Sequence, residues 1–268
     1  MKITMLGTGH AMVYNCFNTC FVIEDQGQYM LVDGGGGFEL LNRLKKADID
    51  LFQIKDIFVS HKHLDHITGI FWILRVVLQG AARGRKTEPV RIYAHEEVIH
   101  ILYVMAEELL GEACAAQIGK ALELIEVKDG EHRNVIGHDV VFFDIHAKKV
   151  KQYGFSFAYD DQRLVFLGDE PYDNACRKYV QNCDWCMHEA FCMDAESEIY
   201  HPRRISHSTV KSACETAEEL GVKNLILYHT EDRHMQERKE LYTAEGRKYY
   251  KGNLQVPDDL ETIVLQKV

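Results

Sequence analysis

The segment Ser60–His66 concentrates side chains of the types that bind metal ions. It contains three imidazoles and one carboxylate: His61, His63, Asp65 and His66. Neutral imidazole is the commonest zinc ligand, and carboxylate oxygen is its usual supplement. Because His61 and His63 alternate with Lys62, an extended chain directs both rings to the same side. The segment therefore predicts a metal site.

Asp65 and His66 follow where the chain must bend into a helix, so they can face a second point near the first. One short loop would then serve two metal ions, which lie roughly 3.5–4 Å apart in two-metal hydrolases. Such ions lower the pKa of bound water from about 15.7 toward 7, which makes hydrolysis the predicted chemistry. A solvated histidine-rich loop is the alternative. It is disfavoured because a loop without a function rarely carries four ligand-type residues in this order.

The elements around this segment are a strand and a helix. Ile57–Val59 is an apolar, strand-like run, and the residues from Ile67 onward are apolar at helical spacing. The ligand-type residues thus follow the carboxyl end of a strand, where open α/β sheets place their sites.

Other candidate residues also follow predicted strands. Val140–Ile145, Arg163–Leu167, Trp185–Ala190 and Asn224–Tyr228 predict strands, and at or just past their ends lie His146, Asp169, Glu189 and His229. His207 precedes a predicted helix with Ser208 as its N-cap, where an oxyanion is attracted. The remaining histidines are scattered and receive no role, although His10 could line the mouth of the site; they are His10, His95, His100, His132, His138, His201 and His234.

The rest of the chain predicts alternating strands and helices. Gly34–Gly37 lacks the spacing of a nucleotide-binding loop, so we expect it to allow a close backbone approach beneath the metal site. The remaining expectations are strands over Lys2–Leu6, Thr19–Glu24, Tyr29–Val32, Val90–Ala94, Leu124–Val127, Phe155–Tyr159 and Thr262–Leu265, a hairpin turn at Gln26-Gly27, and helices over Phe38–Lys46, Glu96–Leu110, Glu112–Leu122 and Glu231–Tyr250.

Length and composition favour one domain over residues 1–268, with 46% hydrophobic residues to form a core. The sequence shows no membrane-spanning run and no signal peptide, so we expect a cytoplasmic location and no membrane partner. In that setting the eight cysteines are expected to be reduced, the Cys183/Cys186 pair included. The net charge of −10 argues against broad affinity for nucleic acid.

The His-x-His-x-Asp-His pattern after a strand resembles the signature of the metallo-β-lactamase fold hydrolases. Three further segments are similar to motifs of the ribonuclease Z-like branch: Gly168-Asp169, His188-Glu189-Ala190 and Ser206-His207-Ser208-Thr209. The resemblance covers nearly the whole chain and implies an α/β fold, the four-layer αβ/βα sandwich of that superfamily.

The resemblance also implies roles for these residues. Two zinc ions would be held by His61, His63 and His146 on one side and by Asp65, His66 and His229 on the other, with Asp169 bridging them. Zinc is indicated because iron-holding redox members have Glu at the position of His63, with manganese or iron as alternatives. A bridging hydroxide would attack, oriented by Asp65, and His207 would protonate the leaving oxygen with Glu189 fixing its tautomer.

The implied function is a phosphodiesterase that acts on an RNA 3′ end or on a small or cyclic phosphodiester. Ribonuclease Z has a protruding tRNA-gripping arm after its third histidine, whereas here His146 and Asp169 are only 23 positions apart. This spacing and the negative charge argue against tRNA processing, and the expected partner is an anionic small molecule or an RNA end. A zinc hydrolase of a carboxylic ester, thioester or lactone and a non-catalytic metal-bound sensor are the alternatives, and relatives suggest a homodimer.

Overall fold

Two seven-stranded sheets form the centre of the computed structural model, which describes residues 1–86 and 88–266. The strands are Lys2–Gly7 (β1), Cys20–Asp25 (β2), Gln28–Val32 (β3), Ile54–Phe58 (β4), Val90–Ala94 (β5), Leu122–Glu126 (β6), Glu131–Val135 (β7), His138–Asp144 (β8), Tyr153–Tyr159 (β9), Gln162–Phe166 (β10), Trp185–Glu189 (β11), Asn224–Tyr228 (β12), Asn253–Gln255 (β13) and Thr262–Val264 (β14). The first sheet has the order β14-β1-β2-β3-β4-β5-β6, and the second has the order β13-β12-β11-β10-β9-β8-β7.

Helices cover the outer face of each sheet. They are Glu39–Lys46 (α1), Leu64–Ala82 (α2), Glu96–Leu110 (α3), Glu112–Ala115 (α4), Arg177–Val180 (α5), Ser197–Tyr200 (α6), Val210–Glu219 (α7) and Arg238–Gly246 (α8). Helices α1 to α4 share a hydrophobic cluster with the first sheet, and α5, α7 and α8 share one with the second. The layers are therefore helix, sheet, sheet, helix, as predicted.

The central strands are apolar on both faces because each sheet is covered on both sides. In β12, Leu225 and Leu227 pack toward the helices, while Ile226 and Tyr228 join the core between the sheets. Aromatic rings fill that central core. The Phe58 ring of the first sheet lies 5.1 Å from that of Phe142 in the second, which fixes the two sheets against each other.

The parallel strands of both sheets direct their carboxyl ends to the candidate site. Strands β3 to β6 are mutually parallel in the first sheet, and β10 to β13 in the second. The segments that follow β4, β10 and β12 begin the loops that carry His61, Asp169 and His229. Residues distant in sequence are thereby brought to one edge of the sandwich.

Glycines allow helix α2 to lie directly on the loop after β3. A Cβ atom at Gly69 would lie 1.8 Å from the carbonyl oxygen of Gly34. Gly34 N donates to the carbonyl of His66 at 2.7 Å, and Gly69 N donates to that of Gly35 at 3.1 Å. The close backbone approach expected at this glycine run is confirmed, and it fixes the helix turn that carries His66.

Two predicted helices are shorter than expected. The helix predicted over 112–122 ends at Ala115, and Leu122 already belongs to β6, which pairs with β5. The helix predicted over 231–250 begins only at Arg238, because residues 231–237 form turns. In this segment Asp232 Oδ2 accepts from the backbone amides of Tyr14 and Asn15. These long-range hydrogen bonds stabilise a non-helical backbone, so the helix begins after them.

Two smaller differences concern polar residues. Helix α7 is capped by Thr209, not by Ser208; the Thr209 hydroxyl accepts from Ser212 N at 3.2 Å in a capping box. Strand β7 was not predicted, since Glu131–Val135 is largely polar and exposed. It forms as the outer strand of an antiparallel hairpin with β8.

We predict that Gly69→Ala destabilises the fold by about 1–3 kcal/mol or more, because the new methyl group collides with backbone rather than with a movable side chain. Chemical denaturation followed by circular dichroism measures this change in the free energy of unfolding. Gly80→Ala in the same helix is the control, since its Cβ would meet only Arg85 side-chain atoms at 3.5 Å or beyond. It should be neutral or stabilising by up to ~1 kcal/mol. Equal effects of the two substitutions would contradict the proposed steric constraint.

Candidate metal centre and active site

One carboxylate oxygen lies at the middle of the candidate site. Asp169 Oδ2 is 3.4 Å from the Nε2 atoms of three imidazoles, those of His61, His66 and His229. Asp169 follows β10 and is 3% exposed, and its amide donates to Gln152 Oε1 at 3.2 Å. A carboxylate placed among three imidazoles in this way can be shared by two metal ions.

The ligand-type atoms form two groups around Asp169. His61, His63 and Asp169 form the first, in which His61 Nε2 is 2.9 Å from His63 Nδ1. Asp65, His66 and His229 form the second, in which Asp65 Oδ2 is 3.3 Å from His66 Nε2 and 3.7 Å from His229 Nε2. Six of the predicted metal-binding residues thus converge.

Burial and close neighbouring charges shift the pKa values of these groups in opposite directions. Burial favours a neutral Asp169, but the neighbouring imidazoles, that of His61 first, hold its pKa well below the ordinary value. Burial likewise favours a neutral His66, but Asp65 and Asp33 hold its pKa well above the ordinary value. For His63, burial and the adjacent His61 lower the pKa to about 4, which keeps this ring neutral and able to bind a metal.

Several buried polar atoms of the site have no hydrogen-bond partner within the described residues. They are His66 Nε2, Asp169 Oδ1, Glu189 Oε2, His207 Nδ1, His229 Nδ1 and His229 Nε2. Each such atom costs on the order of 1–3 kcal/mol if it stays unpaired. Nitrogen and carboxylate donors directed at one another in this way fit divalent cations such as zinc.

Asp33 orients two of the imidazoles from below. Its Oδ2 accepts from His66 Nδ1 at 2.8 Å and from the Ser60 hydroxyl at 2.7 Å, and Ser60 Oγ lies 2.9 Å from His61 Nδ1. If each Nδ1 donates along this chain, both Nε2 atoms keep a free lone pair that faces Asp169. The sequence analysis missed this role. The sequence feature that could have indicated it is a carboxylate at the end of β3, directly before the glycine run.

His207 and Glu189 form a pair beside the metal centre. Glu189 is fully buried at the end of β11, and its Oε2 lies 3.6 Å from His207 Nδ1. Burial lowers the pKa of His207, but contact with Glu189 outweighs it and raises the pKa above the ordinary value. The His207 ring stacks on Phe191 with a centroid distance of 5.1 Å and lies 5.2 Å from the His229 ring.

A cavity of about 480 Å³ opens above these residues. The polar residues that line it include His63, Lys149, Asp169, His207 and His229. Apolar residues also line it, among them Met12 and Leu64, which are 69% and 75% exposed, and the buried Phe191. His10 also lines the cavity, as its position after the first glycine turn suggested.

His146 lies outside the two groups of ligand atoms. It is exposed, has a φ of +59°, and donates its amide to Asp144 Oδ1 at 2.7 Å. Gln152, which sequence analysis did not single out, is instead fully buried and lines the cavity next to Asp169. The role of His146 as a zinc ligand therefore stays a prediction.

Two further features concern the cysteines and the helices. All eight cysteines lie among the described residues as free thiols, and Cys183 and Cys186 are buried. None of the helices in the described ranges combines the length and apolar character that crossing a membrane requires.

Comparison with known proteins identifies relatives along the whole chain. The family model described as "Anti-Pycsar protein Apyc1" matches residues 1–247. Among curated proteins, ribonuclease Z of Archaeoglobus fulgidus is 23% identical, with 96% of this chain and 95% of that protein covered. Ribonuclease Z of Bacillus cereus is also 23% identical, with both chains fully covered.

Solved structures show the same fold. The metallo-β-lactamase fold protein YhfI from Bacillus subtilis matches with a TM-score of 0.79 at 17% identity over 98% of both chains. The short form of human tRNase Z matches with a TM-score of 0.76 at 20% identity over the full length of both. The predicted four-layer metallo-β-lactamase fold and the resemblance to its ribonuclease Z-like branch are confirmed. The family of the matching model was not identified from the sequence.

We predict that Asp33→Asn weakens metal binding by about 10–100-fold, because the amide nitrogen cannot accept from His66 Nδ1. Competition with a chromophoric chelator measures the affinity. Asp48→Asn is the matched control, because Asp48 has the same left-handed backbone (φ +57°, against +56° at Asp33) but is exposed. An Asp33→Asn protein with the affinity of the control would show that this hydrogen-bond chain does not orient the ligands.

Proposed function

The chain belongs to the anti-Pycsar protein Apyc1 family, and we propose that it is a dinuclear zinc phosphodiesterase that cleaves a small or cyclic phosphodiester. The observation that carries this proposal is the position of Asp169 Oδ2, 3.4 Å from three imidazole nitrogens and next to the Glu189–His207 pair. Relatives named ribonuclease Z support it, because their name denotes cleavage of phosphodiester bonds. The expected homodimer and cytoplasmic location belong to the same proposal.

The residues that would hold the ions are the six that converge at the site, and His146 is the proposed seventh. They are His61, His63, Asp65, His66, Asp169 and His229. When bound, divalent cations supply a Lewis acid and lower the pKa of the water molecule that attacks phosphorus. Asp65 is 8% exposed and lines the cavity, so its carboxylate can orient that water or receive its proton.

His207 is the residue we assign to protonate the leaving oxygen. Its contact with Glu189 raises its pKa against the effect of burial, which favours the protonated ring that a general acid requires. Stacking on Phe191 holds the plane of the ring at the cavity wall. A positioned acid of this kind accelerates a reaction by about 10²–10⁴-fold.

Lys149 gives the cavity its preference for an anion. Glu170 accepts from the backbone amides of Lys148 and Lys149 at 2.7 and 3.3 Å, which holds this loop at the cavity. The ammonium group of Lys149 donates to the carbonyl of Ile205, another lining residue, so its charge stays at the mouth. A phosphate oxygen that enters the cavity would meet this charge.

The size of the cavity favours a small substrate. About 480 Å³ suits a ligand of nucleotide size, because small-molecule sites span roughly 300–1,000 Å³. Strands β9 and β10 are joined by Asp160 and Asp161 alone, so the chain has no room for a tRNA-gripping arm there. An RNA 3′ end is the second candidate, favoured by the names of the relatives.

We predict that zinc-loaded protein hydrolyses bis(p-nitrophenyl) phosphate and that His207→Ala slows cleavage in proportion to the basicity of the leaving group. The loss in kcat should be small for p-nitrophenolate and about 10²–10⁴-fold for an alkoxide leaving group, which needs a proton. Steady-state rates on a series of phosphodiesters measure this. His100→Ala, which removes an exposed imidazole on α3, is the control.

Two results would contradict this proposal. If His207→Ala lowers kcat by the same factor for all leaving groups, His207 does not act as the general acid. Strong turnover of a carboxylic ester, thioester or lactone with no phosphodiester turnover would replace the phosphodiesterase by the alternative hydrolase.

We predict that Lys149→Ala lowers kcat/KM for phosphodiesters by about tenfold or more, since a charged hydrogen bond contributes roughly 1.5–3 kcal/mol. Hydrolysis of a neutral ester should not change. Lys148→Ala is the matched control, because this neighbour is also exposed but does not line the cavity. Equal losses in the two variants would show that the position of Lys149 does not select the anion.

A further inference from the structure

A second group of ligand-type side chains lies outside the metal centre. Glu196, Glu231 and His234 each offer a ligand atom, and these atoms lie within 4.8 Å of one another. His234 Nε2 is 2.8 Å from Glu196 Oε1. Glu196 ends a short 3-10 turn after β11, and the other two residues belong to the turns before α8.

Two carboxylate oxygens in this group have no partner among the described residues. Glu231 is only 2% exposed, and its Oε2 accepts from the Tyr200 hydroxyl and from Arg233 N, but its Oε1 is unpartnered. Glu196 Oε2 is buried and unpartnered as well. A buried carboxylate oxygen without a partner is costly, so these two atoms point to a bound group that compensates the carboxylates.

We propose that Glu196, Glu231 and His234 form a separate site for one divalent cation of the zinc or manganese class. One imidazole nitrogen and two carboxylate oxygens are a donor set that such ions accept, with water in the remaining positions. With a neutral imidazole the group carries two negative charges, which one divalent cation balances. The exposed fraction of the His234 side chain, 28%, leaves a path for the ion to enter.

The bound cation would have a structural role, because it joins the two loops that carry His207 and His229. Glu231 N donates to the carbonyl of Phe191 at 2.7 Å, and the Tyr200 ring contacts the Phe191 ring edge-on at 5.7 Å. Phe191 in turn stacks on His207. A cation held by both loops therefore fixes the platform on which His207 rests.

The test is the number of zinc ions that the full chain retains. Protein stripped with chelator, reloaded with zinc chloride and desalted is measured by mass spectrometry of the metal. We expect Glu231→Gln and His234→Gln to retain one equivalent fewer than the wild type, and His132→Gln to retain the wild-type number. His132 is the matched control, since it pairs with Asp139 at 3.0 Å on the surface, where 64% of its side chain is exposed.

Because the measurement counts bound zinc ions, a difference of one equivalent reports on this group without any assay of activity. Wild-type stoichiometry in both Glu231→Gln and His234→Gln would overturn the proposal. So would a loss of more than one equivalent in His234→Gln, because it would show that the group is not separate. Circular dichroism shows whether each variant is folded. If Glu231→Gln does not fold, the conservative His234→Gln variant still tests the proposal.

Discussion

The burial of the Asp169 carboxylate is the constraint on which the rest of this structure depends. A buried carboxylate is costly unless opposite charge or hydrogen bonds compensate it. Here its Oδ2 has three imidazole nitrogens at 3.4 Å, and its Oδ1 has no partner among the described residues. Bound cations would compensate this charge while the imidazoles that hold them stay neutral.

The distances around Asp169 depend on the packing of the two sheets against each other. His61 follows a strand of the first sheet, whereas Asp169 and His229 follow strands of the second, so their separation depends on the separation of the sheets. Aromatic rings between the sheets determine that spacing, as the edge-on contact of Phe58 with Phe155 shows. The close approach of Gly34 and Gly69 then fixes the depth of α2. The core thereby preorganises the site before any ion binds.

Sequence reasoning predicted six residues that the structure brings together at the site, since they lie at or near strand ends, where parallel strands place their functional groups. It assigned no role to Asp33, which also follows a strand end, because the contact of Asp33 with His66 depends on the fold. The predicted start of the helix over 231–250 was wrong for a related reason. Asp232 binds backbone amides near residue 14, a contact that no local pattern encodes, and the turns it stabilises hold Glu231 and His234. Local periodicity predicts elements, but long-range polar contacts decide where they end.

The charge of the chain and the charge of its cavity have opposite consequences for the substrate. A net charge of −10 repels a long polyanion over most of the surface, and phosphate contacts dominate nucleic-acid affinity. Positive charge at the site would come from the bound cations and from Lys149 at the cavity. A small anion that enters the cavity experiences mainly this local field, whereas a long RNA must also lie along the acidic surface. If the proposed phosphodiesterase function holds, the same electrostatics favour a short substrate over an extended one.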